Sequence, residues 1–189
     1  MTKLITKNIA LFSSLAWLAM SQVVIAKCPP AIACQVEAHV IDRDPDGLNV
    51  RQYPGTQSKV LGTLPHNTEV KILAYQKIYQ GDRTDAWMLV SPISSNHQQF
   101  EENGWVSASL LGLYTKGYDR QSVPIYSEPN KEKKSSLVVG NLASDSLVTL
   151  SGCEGKWSHV KAKNFANNLD VEGWLEPEQQ CRSPYTSCS

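Results

Sequence analysis

The chain has 189 residues and carries 18 basic against 18 acidic side chains, a formal net charge of zero. Such a balance lacks the clustered basic footprint that phosphate backbones require, so nucleic acid is not an expected partner. The length fits one ordinary domain or two small ones, and the order of elements has to decide between them.

Residues 1–26 open with Lys3 and Lys7, run through the apolar stretch from Ile9 to Met20, and end in Val24-Ile25-Ala26 before Lys27. A basic start, an apolar centre and a small residue at the break read as a secretory signal peptide. The centre falls short of the roughly 20 residues that a membrane span needs. Cleavage after Ala26 predicts an exported protein, periplasmic or secreted, with no membrane span and with 16 basic against 18 acidic residues. Lipid modification stays open at Cys28, which follows Lys27, and at Cys34, which follows Ala31-Ile32-Ala33.

Cys28, Cys34, Cys153, Cys181 and Cys188 all lie beyond the cleavage point. In an oxidising compartment they read as structural disulfides, although the sequence does not choose their pairing. A local bond between Cys153 and Cys181 is the first expectation. Without a C-x-x-C pair, and with dispersed histidines, no metal and no cofactor are expected.

Val36, Ala38 and Val40 alternate with polar neighbours and predict an edge strand. Asp44-Pro45-Asp46-Gly47 then sets a turn, because proline fixes φ and glycine accepts the left-handed conformation. Leu48 and Val50 share one face of the next strand, and Pro54-Gly55 breaks it before Val60 and Leu64. Further strands follow at Val70-Lys71-Ile72, Trp87-Met88-Leu89-Val90 and Gly104-Trp105-Val106, closed by Ser107 to Leu111.

A second series has the same order. Val123 answers Leu48, Val139-Gly140-Asn141-Leu142 answers Leu61-Gly62-Thr63-Leu64, and Val148-Thr149-Leu150 answers Val70-Lys71-Ile72. Trp157-Ser158-His159-Val160 answers Trp87–Val90, and Gly173-Trp174-Leu175 answers Gly104-Trp105-Val106. The offsets are 75, 78, 78, 70 and 69, and they drift only across loops, where insertions are tolerated.

The run Asp46 to Leu64, with its Leu-Asn-Val-Arg strand, Pro-Gly turn and Val-x-Gly-x-Leu strand, closely resembles the opening of the bacterial Src-homology-3-like domain. Gly104-Trp105-Val106 matches that family's closing motif. The resemblance implies an all-β chain of two tandem small SH3-like barrels, 34–112 and a more divergent 113–182, followed by a tail, 183–189. In the second, Pro124 and Tyr126 stand where Asn49 and Arg51 stood, so the first barrel is expected to bind and the second to support it.

Three motifs point toward chemistry and are better explained by local structure. Asp42 to Gly47 begins like a calcium loop, but the position needing a bidentate Glu is Tyr53. Ser158 and Lys161 have the S-x-x-K spacing of acyl enzymes, yet residues three apart on a strand face opposite ways. Cys153 and His159 could be paired as nucleophile and base, but Cys153 falls in a hairpin turn. No catalytic residue is assigned, and no enzyme is expected.

Trp87, Trp105, Trp157 and Trp174 recur at strand positions and are expected in the core. The aromatics beside turns, Tyr53, Tyr75, Tyr79 and Tyr126, are the ligand-binding candidates, since small barrels hold extended peptides in shallow aromatic grooves. The resemblance implies a peptidoglycan fragment, peptide or glycan, as the ligand. The alternative is an exported protein partner, such as a wall enzyme that the chain inhibits or scaffolds.

Overall fold

The computed structural model describes residues 29–80, 82–93, 103–117, 122–130 and 136–182. The expected signal segment 1–26, Cys28, Cys188 and the tail 183–189 lie outside these. The first described strands are β1 (Ile32–Val40), β2 (Leu48–Arg51), β3 (Val60–Leu64), β4 (Glu69–Gln80), β5 (Arg83–Pro92), β6 (Gly104–Ser107) and β7 (Leu111–Thr115). The second half has β8 (Ser122–Tyr126), β9 (Val138–Ala143), β10 (Leu147–Glu154), β11 (Trp157–Lys163), β12 (Asp170–Leu175) and β13 (Gln180–Cys181). Short 3-10 turns, Ala108–Leu110 and Pro177–Gln179, follow β6 and β12.

The all-β expectation holds. The strands do not, however, close into two separate barrels. They form one open path in the order β3-β2-β6-β5-β4-β1-β7-β10-β11-β12-β8-β9, with β13 joined to β7. The reason lies in β7, which runs through the expected boundary at 112/113. Its residues are mostly buried, and both of its edges are used. Gly112 and Leu111 pair with β1, Gly112 to Tyr114 pair with β10, and Tyr114 and Thr115 pair with β13.

The order of pairing recurs along the chain. β1 lies between β4 and β7 as β7 lies among β10 and β13. β2 joins β3 to β6 as β8 joins β9 to β12. β5 joins β4 to β6 as β11 joins β10 to β12. One hydrophobic cluster runs through both halves, from Leu64, Ile72 and Met88 through Leu111 and Leu113 to Ile125, Leu150 and Leu175.

Two expectations are corrected. Cys153 is bonded to Cys34, not to Cys181, with Cα atoms 5.8 Å apart and a sequence separation of 119. The β10–β11 hairpin brings Cys153 to the start of β1, where Gln35 N–H donates to the Gly155 carbonyl and Gly155 N–H to that of Ala33. Cys181, also disulfide-bonded, sits in β13 against β7 instead. The second correction concerns the tryptophans. Trp87 is buried at 4 % exposure, whereas Trp105, Trp157 and Trp174 are only half-buried. Strand alternation turns Gly104 and Val106, Ser158 and Val160, Gly173 and Leu175 inward, so the tryptophan beside each pair faces out.

His39 is buried on β1, stacked on Tyr114 at 5.4 Å, with Nδ1 2.6 Å from the Arg182 carbonyl oxygen. Burial lowers its pKa, opposed by that hydrogen bond. Burial also lowers that of His159, opposed by Glu172. The unfolded chain therefore takes up these protons first. Their contribution is complete above about pH 6.5 and is lost as pH falls through that value toward the folded pKa. Thermal melts should show the midpoint falling on acidification from about pH 7.5 to 5.5, and a rising midpoint would contradict this.

Candidate functional site

The extended β4 presents Tyr75, Lys77 and Tyr79 on one face, because side chains two apart share a side of a strand. Facing them are Gly152 and Glu154 of β10, His159 of β11 and Trp174 of β12. Pro29, Pro30 and Ile32 also line it, and the half-open cleft measures about 280 Å³. Tyr75 is buried at 6 % exposure and Tyr79 stands out at 65 %. The cleft thus has an aromatic floor and an aromatic lip.

Gly152 is what lets Tyr75 in: a Cβ there would lie 3.2 Å from Tyr75 Cζ, closer than a side chain comfortably packs. Burial, and then the charges of Tyr79 and Glu172, push the Tyr75 phenol up to about 12. Its hydroxyl is therefore a neutral donor at physiological pH. Gln76 Nε2 donates to the Pro29 carbonyl at 2.8 Å and pins the segment before β1 to the cleft.

His159 meets the Trp174 ring edge-on at 4.7 Å. Its Nδ1 lies 2.8 Å from Ser151 Oγ and 3.3 Å from Glu172 Oε1, and Lys161 Nζ is 3.6 Å from the other Glu172 oxygen. A nucleophile relay needs hydroxyl and carboxylate on opposite ring nitrogens. Both meet Nδ1 here, so the contacts orient the imidazole and Trp174 without building a relay.

A second groove, of about 310 Å³, crosses the first half between Asp44, Asn49, Arg51, Arg83 and Asp85. Trp87 lines it, its buried indole Nε1 without a hydrogen-bond partner among the described residues. This groove is charged where the cleft is aromatic.

Of the four tyrosines singled out from the sequence, the structure brings Tyr75 and Tyr79 together. Tyr53 lies apart, 63 % exposed in the turn after β2, its N–H bonded to Ser58 Oγ. Tyr126 meets Trp157 edge-to-face at 6.1 Å. His159, Trp174 and the two prolines were missed. For Trp174 a signal existed in Gly173 and Leu175, whose shared inward face excludes the residue between them.

The remaining motifs are absorbed by local structure. Asp42 and Asp44 accept from the N–H groups of Asp44 and Asp46, at 3.1 and 3.0 Å, and Gly47 completes the turn with φ 83°. Buried Ser158 donates to Gln180 Oε1 at 2.8 Å, while Lys161 reaches Glu172. Cys153 is held in the disulfide to Cys34.

No curated protein matches the chain. Residues 46–112 match the family model of the bacterial SH3 domain, a span that starts in the Pro-Asp-Gly turn and ends in β7. Over these residues, in its first half, the chain is similar to a bacterial SH3 domain.

Proposed function

We propose that this is an exported, non-catalytic binding protein, made of SH3-like units at 34–112 and 113–182 behind a signal peptide, that recognises a peptidoglycan peptide or glycan. The observation that carries this reading is the convergence of Tyr75 and Tyr79 with Trp174 and His159 in one cleft. The bacterial SH3 match adds a prior for binding, often to cell-wall material. The repeated order of strand pairing supports a second unit, with β7 common to both. Because the cleft draws on residues of both halves, this reading makes the pair the binding unit, where the sequence alone put binding in the first.

Sedimentation with purified insoluble wall tests this. Tyr79→Ala should reduce retention roughly tenfold, as removal of a central aromatic contact does, and should leave the melting temperature unchanged because Tyr79 is largely exposed. Equal retention of variant and parent would remove the cleft from the reading.

The second reading, an exported protein partner, is favoured by one observation. β4 continues to Gln80, past Tyr75, its last pairing partner for β1. Stable co-purification with a single exported protein, without wall retention, would select it.

A further inference from the structure

In the sheet, β4 lies between β5 and β1. Its pairing with β5 is complete to the tip, through Lys77↔Ala86, Ile78↔Asp85, Tyr79↔Thr84 and Gln80↔Arg83. Its pairing with β1 stops at Ile32↔Tyr75. Among the described residues, the stretch Gln76–Gln80 thus has a strand on one side only. Among the described residues before β1, Pro29 and Pro30 have no N–H to add to the ladder. Gln76 holds Pro29 by its side chain instead.

We propose that this margin of β4 takes up an extended peptide segment as an added strand, in line with β1, and that alternate side chains of the peptide enter the cleft. The inference rests on the binding reading above and narrows the ligand from peptide or glycan to peptide. Strand addition draws affinity from main-chain hydrogen bonds and specificity from pockets for alternate side chains, and both are present. The margin supplies unpaired backbone, and Lys77 and Tyr79, two apart on the cleft face, set the alternation.

The same residues define the peptide. A cross-strand neighbour of Lys77 is best acidic, and an aromatic or β-branched residue suits a neighbour of Tyr79. Lys77 is exposed and lines the cleft together with one carboxylate, Glu154, so the position opposite Lys77 is where the peptide's acidic residue belongs. The occupant is therefore an extended segment of an exported polypeptide in which an acidic residue alternates with aromatic ones. A sugar can hydrogen-bond single groups of the margin but has no strand backbone with which to continue the ladder.

The experiment titrates the full mature chain, by calorimetry, with capped octapeptides in which tyrosines and a central aspartate alternate with threonine. Binding should slow amide exchange within Gln76–Gln80. Methylating alternate peptide nitrogens, which removes strand pairing and keeps every side chain, should weaken binding at least tenfold. Lys77→Glu should weaken it by a similar factor, and a peptide with lysine in place of the aspartate should recover it. No titration with any peptide, protection confined to other strands, or indifference to methylation would overturn the proposal. Wall retention without peptide titration also overturns it while leaving the wall reading standing. Peptide titration without wall retention supports it and removes the wall as ligand.

Discussion

Replacing Cys34 and Cys153 together by alanine should lower stability by about 2–5 kcal/mol, near the top of what a single disulfide supplies. The bond closes a loop of 119 residues, and the chain entropy removed from the unfolded state grows with the logarithm of loop length. For a chain of this size each kcal/mol moves the melting temperature by about 2–4 °C, so a drop of roughly 5–20 °C is expected. The bond also joins the start of β1 to the β10 hairpin beside the cleft, so ligand retention should fall with stability. A double variant that melts within a degree of the parent would show that the unfolded chain does not register the crosslink.

Trp87→Ala should cost about 3–5 kcal/mol, the usual loss for truncating a buried tryptophan. Trp105→Ala and Trp174→Ala should cost about 1–2 kcal/mol, in the range of ordinary substitutions, because both rings are only half-buried. Trp87→Phe should cost much less than Trp87→Ala, since the indole Nε1 it removes has no partner among the described residues to lose. Denaturant melts of the four variants settle the order. If Trp105→Ala or Trp174→Ala destabilises as much as Trp87→Ala, the outward placement of that tryptophan is wrong.

These tryptophans mark where sequence reasoning stopped. Position along a strand was legible, because Leu48 with Val50 and Val123 with Ile125 alternate cleanly and are all buried. Facing was legible too, but only from neighbours: Val106 and Leu175 occupy the inward side next to Trp105 and Trp174. Recurrence of a tryptophan says that two strands correspond and does not say which way the ring points. Tyr75 and Tyr79 were found because they sit on one strand. His159 and Trp174 were not, because what sets them opposite Tyr75 is the packing of β10, with β11 and β12 beside it, against β4, and the two residues lie 84 and 99 positions on from Tyr75. The disulfide was missed for the same reason. Cys181 is nearer to Cys153 in sequence, but hairpin geometry delivers Cys34.

The strand β7 also governs how the molecule comes apart. It is the last strand beside β1 and the first beside β10, so neither half can unravel without stripping hydrogen bonds from the other. Two independent modules would melt in two steps and could be cut apart at their linker. With β7 in common, no linker separates the halves among the described residues, and a single cooperative transition is the expected result. Assembly should be correspondingly slow, since β7 must hold partners from both directions along the chain before the core is complete, and distant pairings of this kind are reached late.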